Sequence, residues 1–181
     1  MNIAFIGYRT SGKTTISHKL ANCIGWNIIE TDHIIEEYFG KKIPEIIKLN
    51  GWDFFRKSES TIIHHYAGRN QLVIDLGGGA VLNEDAMVHL SRSSVIVFLD
   101  CSPETIINRM QKSYFRPPLT GLSLEEEVNK VLAERFPLYK RYADIIVNTD
   151  VFSADNATDI IMNYLLHYGI KPFHKNNLSF A

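Results

Sequence analysis

Cysteine is scarce in this chain: Cys23 and Cys101 are the only two among 181 residues. The opening apolar run MNIAFI is too short for a secretion signal and has no basic flank ahead of it. Reduced thiols in a cytoplasmic protein are therefore expected, rather than a disulfide framework. Long hydrophobic runs are missing as well. Nothing approaches the roughly 18 consecutive apolar residues of a membrane span, so no membrane partner is expected. Nor does charge of one sign dominate, since 19 Lys and Arg stand against 20 Asp and Glu for a formal net charge of −1. That argues against a broad basic face for nucleic acid; positive charge that matters has to be concentrated locally. The seven histidines show no zinc-like spacing, and the adjacent His64 and His65 fall in a helical stretch where neighbours point in different directions. Internal repeats and low-complexity linkers are lacking too, and a single domain over residues 1–181 is the expectation.

What the chain does have is material for a core, with 45% hydrophobic residues against 22% charged. Apolar runs alternate with amphipathic ones. NIAFIG, WNIIET, QLVIDLGGG, SVIVFLD and DIIVNT read as strands, SVIVFLD most clearly because it is β-branched and continuous. Between and after them, KTTISHKLANCI, DHIIEEYF, IPEIIKLN, GWDFFRKSESTIIHHYAG, NEDAMVHLSRS, SPETIINRMQK, SLEEEVNKVLAERFPLYKRYA and SADNATDIIMNYLLHY read as helices. Gly25 and Gly169 mark helix ends, Ser102 with Pro103 opens a helix, and Ser123 with Glu126 fits a capping box. Pro137 is expected to disturb the long helix around it, and Trp52, Phe55, Ile62 and Ile63 to form an apolar stripe. Continuous apolar strands alternating with helices imply a five-stranded parallel sheet covered on both faces, a three-layer α/β sandwich. Ligands in such sheets sit beyond the carboxyl ends of the strands. Gly7, the stretch from Glu30 to Asp32 and the run Gly77 to Gly79 all fall there.

The stretch GYRTSGKTT carries Gly7, Gly12, Lys13 and Thr14 at the spacing of a phosphate-binding loop, with a strand before it and a helix after it. Glycines let several backbone N–H groups turn onto phosphate oxygens, and the helix start adds its partial positive charge. The loop residues Thr10, Ser11, Gly12, Lys13, Thr14 and Thr15 would hold the nucleotide. Lys13 would reach the terminal phosphates and the Thr14 hydroxyl would ligate Mg2+. A plain strand-to-helix turn has no need of Lys-Thr after its second glycine. The loop points to a nucleoside triphosphate and leaves open ATP or GTP, hydrolysis or transfer.

In order along the chain, GYRTSGKTT, ETDHIIEE, GWDFFRKSE, LGGGAV, FRPPLTG and ERFPLYKRYAD resemble the motifs of the shikimate kinases, over Met1 to about His167. The resemblance implies a phosphate-loop fold like that of the nucleoside monophosphate kinases, and transfer of the γ-phosphoryl of ATP to the 3-hydroxyl of shikimate with Mg2+. It implies a substrate-binding helical segment at about 32–66, a lid at about 111–124, a loosely held tail at 170–181 and a monomer. Arg56 and Arg135 match the family's carboxylate-binding arginines, a task suited to planar guanidinium forks. Asp32 matches the acidic residue that holds the reacting hydroxyl, and as an aspartate ahead of HIIEEYF it also suits a helix N-cap. Gly77, Gly78 and Gly79 match the glycines beside the substrate, where successive N–H groups can form an anion nest. Arg116 matches the lid arginine over the phosphates, and Arg109 a position near adenine.

Three positions depart from the family pattern. Thr10 stands where glycine is usual, and Glu30 where the first aspartate of an Asp-x-Asp pair is usual; an outer-sphere Mg2+ role is assigned to Glu30 through water. NTDVFSADN lacks the basic residue often found near adenine. Asp75, ending an apolar strand, resembles the Mg2+-supporting carboxylate of other phosphate-loop enzymes; the metal assignment stays with Thr14 and Glu30, and a hydrogen-bonded, partly buried carboxylate is the alternative reading of Asp75. A related small-molecule kinase such as a gluconate kinase, and a non-catalytic nucleotide- or shikimate-binding module, are the alternatives.

Overall fold

The computed structural model describes residues 1–112 and 123–172. Five strands, β1 (Asn2–Ile6), β2 (Asn27–Glu30), β3 (Leu72–Asp75), β4 (Ser94–Asp100) and β5 (Ile145–Asn148), form one sheet in the order β2-β3-β1-β4-β5. Every pairing is parallel, with Ile3 opposite both Val73 and Val95. Seven helices complete the described chain: α1 (Lys13–Ile24), α2 (Thr31–Phe39), α3 (Ile43–Ala67), α4 (Glu84–Ser91), α5 (Pro103–Lys112), α6 (Leu124–Tyr142) and α7 (Ala154–Leu166). The expected three-layer α/β sandwich is what the chain forms. None of these helices is long and apolar enough to cross a membrane.

Strand periodicity sorts the core into two layers. Ile3 and Phe5 of β1, with Val95, Val97 and Leu99 of β4, face α1 and α7, where Leu20, Ile161 and Leu165 are fully buried. Ala4 and Ile6, with Ile96 and Phe98, face the other way onto Ile63 of α3, Met87 and Leu90 of α4 and Tyr139 of α6. Since both faces are covered, the central strands carry no solvent-facing polar side, which is why they read as unbroken apolar runs. With β1 between β3 and β4, the loops leaving β1 and β3 emerge side by side at the carboxyl edge of the sheet.

Helix ends follow local chemistry. Gly25 closes α1 in the left-handed region at φ 70°. Both halves of the Ser123–Glu126 capping box are formed at the start of α6. The two helices read from IPEIIKLN and GWDFF meet at Gly51, whose φ of 84° and ψ of 169° break α3. Three expectations need correction. Trp52 leaves the apolar stripe: it follows the Gly51 break, is 42% exposed, and lies under Arg56 with 5.1 Å from the guanidinium carbon to its ring. Pro137 does not break α6, which continues to Tyr142. The last helix ends at Leu166, before Gly169, whose φ of 75° turns the chain afterwards.

Leu20 is fully buried between α1, α7 and the sheet. Leu20→Ala should lower the unfolding free energy by about 2–5 kcal/mol, lost transfer energy plus a residual cavity. Urea unfolding checks this, and a loss under 1 kcal/mol would mean that the layer is not close-packed there.

Candidate functional site: a phosphate loop beside a glycine turn

The loop after β1 is shaped by contact with β4. A Cβ on Gly7 would lie 2.6 Å from the Leu99 carbonyl oxygen, and its φ of 146° disfavours any side chain. Lys13 opens α1 and is buried; its ammonium folds back over the loop, donating to the carbonyls of Gly7 and Tyr8 at 3.0 Å each. The Thr14 hydroxyl donates to Asp75 Oδ2 at 2.7 Å. Ser11 is buried, and its hydroxyl has no hydrogen-bond partner among the described residues. Thr10 adopts φ 64°, a left-handed conformation that a β-branched residue takes only under constraint.

Two cavities meet at this loop. One, about 350 Å³, runs past Lys13, Thr14, Glu30, Asp32, Asp75 and Gly78. The other, about 490 Å³, lies between the loop and the chain after β5, from Thr149 to Ala154. Thr10, Gly12 and Thr15 line both, so the two are halves of one crevice across the loop. Arg109 forms part of the second wall and ties it together, donating to the Thr10 carbonyl at 3.2 Å and to the Thr149 carbonyl at 2.8 Å.

The turn after β3 gathers a second set of charged side chains. A Cβ on Gly77 would lie 2.5 Å from Asp32 Oδ1 and 2.7 Å from Glu59 Oε1; one on Gly79 would overlap the Arg56 guanidinium. Gly78 packs against the phosphate loop itself, 3.3 Å separating its absent Cβ from the Gly7 carbonyl oxygen. Its own carbonyl accepts from Arg135 Nη1 at 3.1 Å and from the Tyr139 hydroxyl at 2.5 Å. The expected anion nest is not formed. None of the three glycines has the positive φ that a nest requires, and the Gly77 N–H donates to the Thr31 hydroxyl at 3.0 Å. These glycines are needed for the space they leave.

Asp32, Arg56 and Arg135 thus meet at one turn. Asp32 is not the helix cap: α2 begins at Thr31 with Glu30 at the cap position, which puts Asp32 in the first turn, exposed toward the crevice. Two participants were not singled out beforehand. Glu59 is fully buried and accepts from Arg56 Nη1 at 2.7 Å, while its other oxygen is buried with no hydrogen-bond partner among the described residues. Burial pushes its carboxyl up to about 7 against the pull of Arg56, and the nearby Asp32 adds to the rise. Tyr139 is the second, its hydroxyl pushed up to about 12 mainly by burial. A signal existed for both: Glu59 lies three residues after Arg56, and Tyr139 four after Arg135, on the same helix faces.

A family model described as shikimate kinase matches residues 9–166. A shikimate kinase of Caldanaerobacter subterraneus is 33% identical over 91% of this chain and 96% of its own. The chain belongs to the shikimate kinase family. A solved shikimate kinase of Acinetobacter baumannii in complex with shikimate superposes with a TM-score of 0.86 at 29% identity, covering 94% of this chain and 95% of that one. A gluconokinase of Sinorhizobium meliloti shares the fold, with a TM-score of 0.62 at 18% identity over 92% of each chain.

Arg116, expected as a lid arginine, lies outside the described residues, as do residues 113–122 of the lid expected at about 111–124 and residues 173–181 of the expected tail. Thr10 occupies a left-handed position, which accounts for glycine being usual there. Glu30 lines the crevice while its Oε1 meets His18 Nε2 at 2.9 Å. The oxygen donors Thr14, Glu30, Asp32 and Asp75 fit a hard cation, yet no group of three metal-binding side chains among the described residues could hold an ion alone. Such oxygen donors suit Mg2+, which takes one or two carboxylates and keeps several of its own waters.

Glu59 gives this site a pH signature. Its folded-state pKa is raised from 4.5 to about 7, so stability present below pH 4.5 is lost as the pH climbs to 7. Relative to wild type, Glu59→Gln should gain on the order of 3 kcal/mol across that window, at about 1.4 kcal/mol per unit. Urea unfolding at several pH values measures it, and parallel pH profiles would show that Glu59 does not carry the buried proton.

Proposed function

We propose that this chain transfers the γ-phosphoryl group of ATP to the 3-hydroxyl of shikimate, as a cytoplasmic monomer in the route to chorismate and the aromatic amino acids. The observation that carries this reading is the gathering of two guanidinium and two carboxyl side chains around Gly77–Gly79, itself packed against the phosphate loop. A cyclic acid bearing hydroxyls asks for that set. Arg56 and Arg135 grip its carboxylate, Asp32 orients the reacting hydroxyl and takes up its proton, and Glu59 holds Arg56 in place. Arg135 Nε is buried with no hydrogen-bond partner among the described residues, which leaves a donor to offer.

On the nucleotide side, Lys13 and the loop N–H groups neutralise the phosphate tail, and Thr14 with Glu30 holds the metal. Bound Mg2+ supplies charge compensation at the phosphates. Arg109, Thr149 and the chain to Ala154 form the wall beside the base. Little covalent chemistry is asked of the protein; positioning and charge stabilisation carry the rate. The likeness to a gluconokinase extends to the fold alone, and paired arginines suit any carboxylate, so the acceptor is tested directly.

ADP release should depend strictly on shikimate; dependence on gluconate instead, or binding without turnover, would replace this reading. Asp32→Asn should lower kcat by about 10²–10⁴-fold while ATP affinity changes little. A near-normal rate would remove Asp32 from the mechanism. Arg56→Lys should raise the KM for shikimate by roughly 10–100-fold, since a point charge cannot reproduce a bidentate fork; an unchanged KM would dissociate Arg56 from the carboxylate.

A further inference from the structure

The first turn of α6 carries three carboxylates, Glu125, Glu126 and Glu127. Glu125 and Glu126 are exposed, where they complement the positive end of the helix and Glu126 closes the capping box. Glu127 is fully buried, and neither task accounts for burying it. Its Oε1 pairs with Nη2 of Arg9, which comes from the loop after β1 and has a side chain only 12% exposed.

A buried pair of this kind adds little net stability. Taking both charges out of water costs about as much as their attraction returns, and an apolar pair of similar volume often serves as well or better. What the ion pair offers over an apolar contact is direction, since a hydrogen bond to a guanidinium holds its partner at one distance and angle.

Position matters at this place. Arg9 lines the crevice together with Lys13, Thr14 and Asp32, and its backbone nitrogen lies 3.4 Å from the absent Cβ of Gly78. On α6, Arg135 follows Glu127 by about two turns, roughly 12 Å along the axis, and donates to the Gly78 carbonyl at 3.1 Å. Tyr8 shares a buried cluster with Val128 and Val131 of the same helix. Burial raises the pKa of its phenol, Arg9 and Arg135 lower it and Glu127 raises it further, so one hydroxyl lies within reach of all three charges. The helix is thus held to the phosphate loop at its start and to the glycine turn further along.

We propose that Arg9 and Glu127 are positioning residues for the acceptor: their ion pair pins the start of α6 to the phosphate loop and so holds Arg135 at a fixed distance from the phosphoryl group to be transferred. The inference rests on the reading of Arg135 as a grip on the acceptor carboxylate.

The test follows the KM for shikimate and the KM for ATP separately. Arg9→Met or Glu127→Met alone strands a buried charge and is expected to destabilise the fold, so the double variant Arg9→Met/Glu127→Met carries the experiment. It should unfold thermally no earlier than wild type. Its KM for shikimate should nevertheless rise about tenfold, with the KM for ATP within about twofold of wild type, because a misplaced binding group weakens the acceptor alone. Arg9→Lys, which keeps one charged donor for Glu127, should stay within about threefold of wild type for both substrates. A wild-type KM for shikimate in the folded double variant would reduce the pair to a structural contact and overturn the inference. A KM for ATP that rises as much as that for shikimate would overturn it as well, since Arg9 would then act on the phosphates directly. Arg135→Lys should raise the KM for shikimate at least as much as the double variant does, because the pair acts only through Arg135. An unchanged KM in Arg135→Lys would remove Arg135 from acceptor binding and take the inference with it, an outcome distinct from the other two.

Discussion

The space left by missing side chains at Gly77 and Gly79 is the constraint on which the site depends. Asp32 comes from α2, Glu59 and Arg56 from α3, and Arg135 from α6; these helices meet the sheet from different directions. Their side chains converge because a carboxyl pair and a guanidinium occupy the volume where two Cβ atoms would be. Close packing makes that arrangement discrete, since an added methyl group forces displacement of a charged group. Gly78, between them, fits against the carbonyl of Gly7, so the same turn that gathers these charged groups also touches the phosphate loop. One backbone segment sets the spacing between the charged cluster and the loop.

Electrostatics divides the crevice into walls of different character. The phosphate side is built from backbone N–H groups, the start of α1 and the buried Lys13, an environment prepared for anions. The glycine-turn side balances two guanidinium groups against two carboxyl groups, with Glu59 buried deepest and its carboxyl pushed up to about 7. A carboxyl in that position can hold Arg56 while neutral or charged, but the Coulombic part of the grip changes with pH. Arg56 is further confined by the rings of Trp52 and Phe55, at 5.1 and 5.2 Å. Stacking of this kind fixes the plane of the fork without consuming its donors.

Much of this was legible in the sequence, and the reasons are physical. Strands buried on both faces announce themselves as unbroken apolar runs, and the capping box at Ser123 and the break at Gly51 are local chemistry that neighbours cannot override. The phosphate loop was readable because it is local: glycine, lysine and threonine act within one strand–turn–helix unit. The resemblance supplied Asp32, Arg56 and Arg135, which no spacing rule unites. What escaped was pairwise and tertiary. Glu59 looks like any helical glutamate until Gly77 is seen to make room for it, and Asp75 like a partly buried acid until Thr14 is found bonded to it. The nest read into the glycine run failed because consecutive glycines say that space or freedom is needed without saying which. Trp52 was misassigned because it sits in the first turn after Gly51, half exposed and packed on the Arg56 guanidinium instead of the core.

Thr10 shows how this chain accommodates a departure from its family without losing the loop. A left-handed conformation costs a β-branched residue on the order of 1–2 kcal/mol relative to glycine, so something outside the tripeptide has to hold it. Arg109 does so from α5, binding the Thr10 carbonyl and, through Thr149, the end of β5. The loop backbone is thereby fixed from the side of α5 and the chain after β5 as well as from β4. The residue that replaced glycine has made the shape of the phosphate loop depend on an arginine ninety-nine positions away, so the two halves of the nucleotide crevice are mechanically one piece.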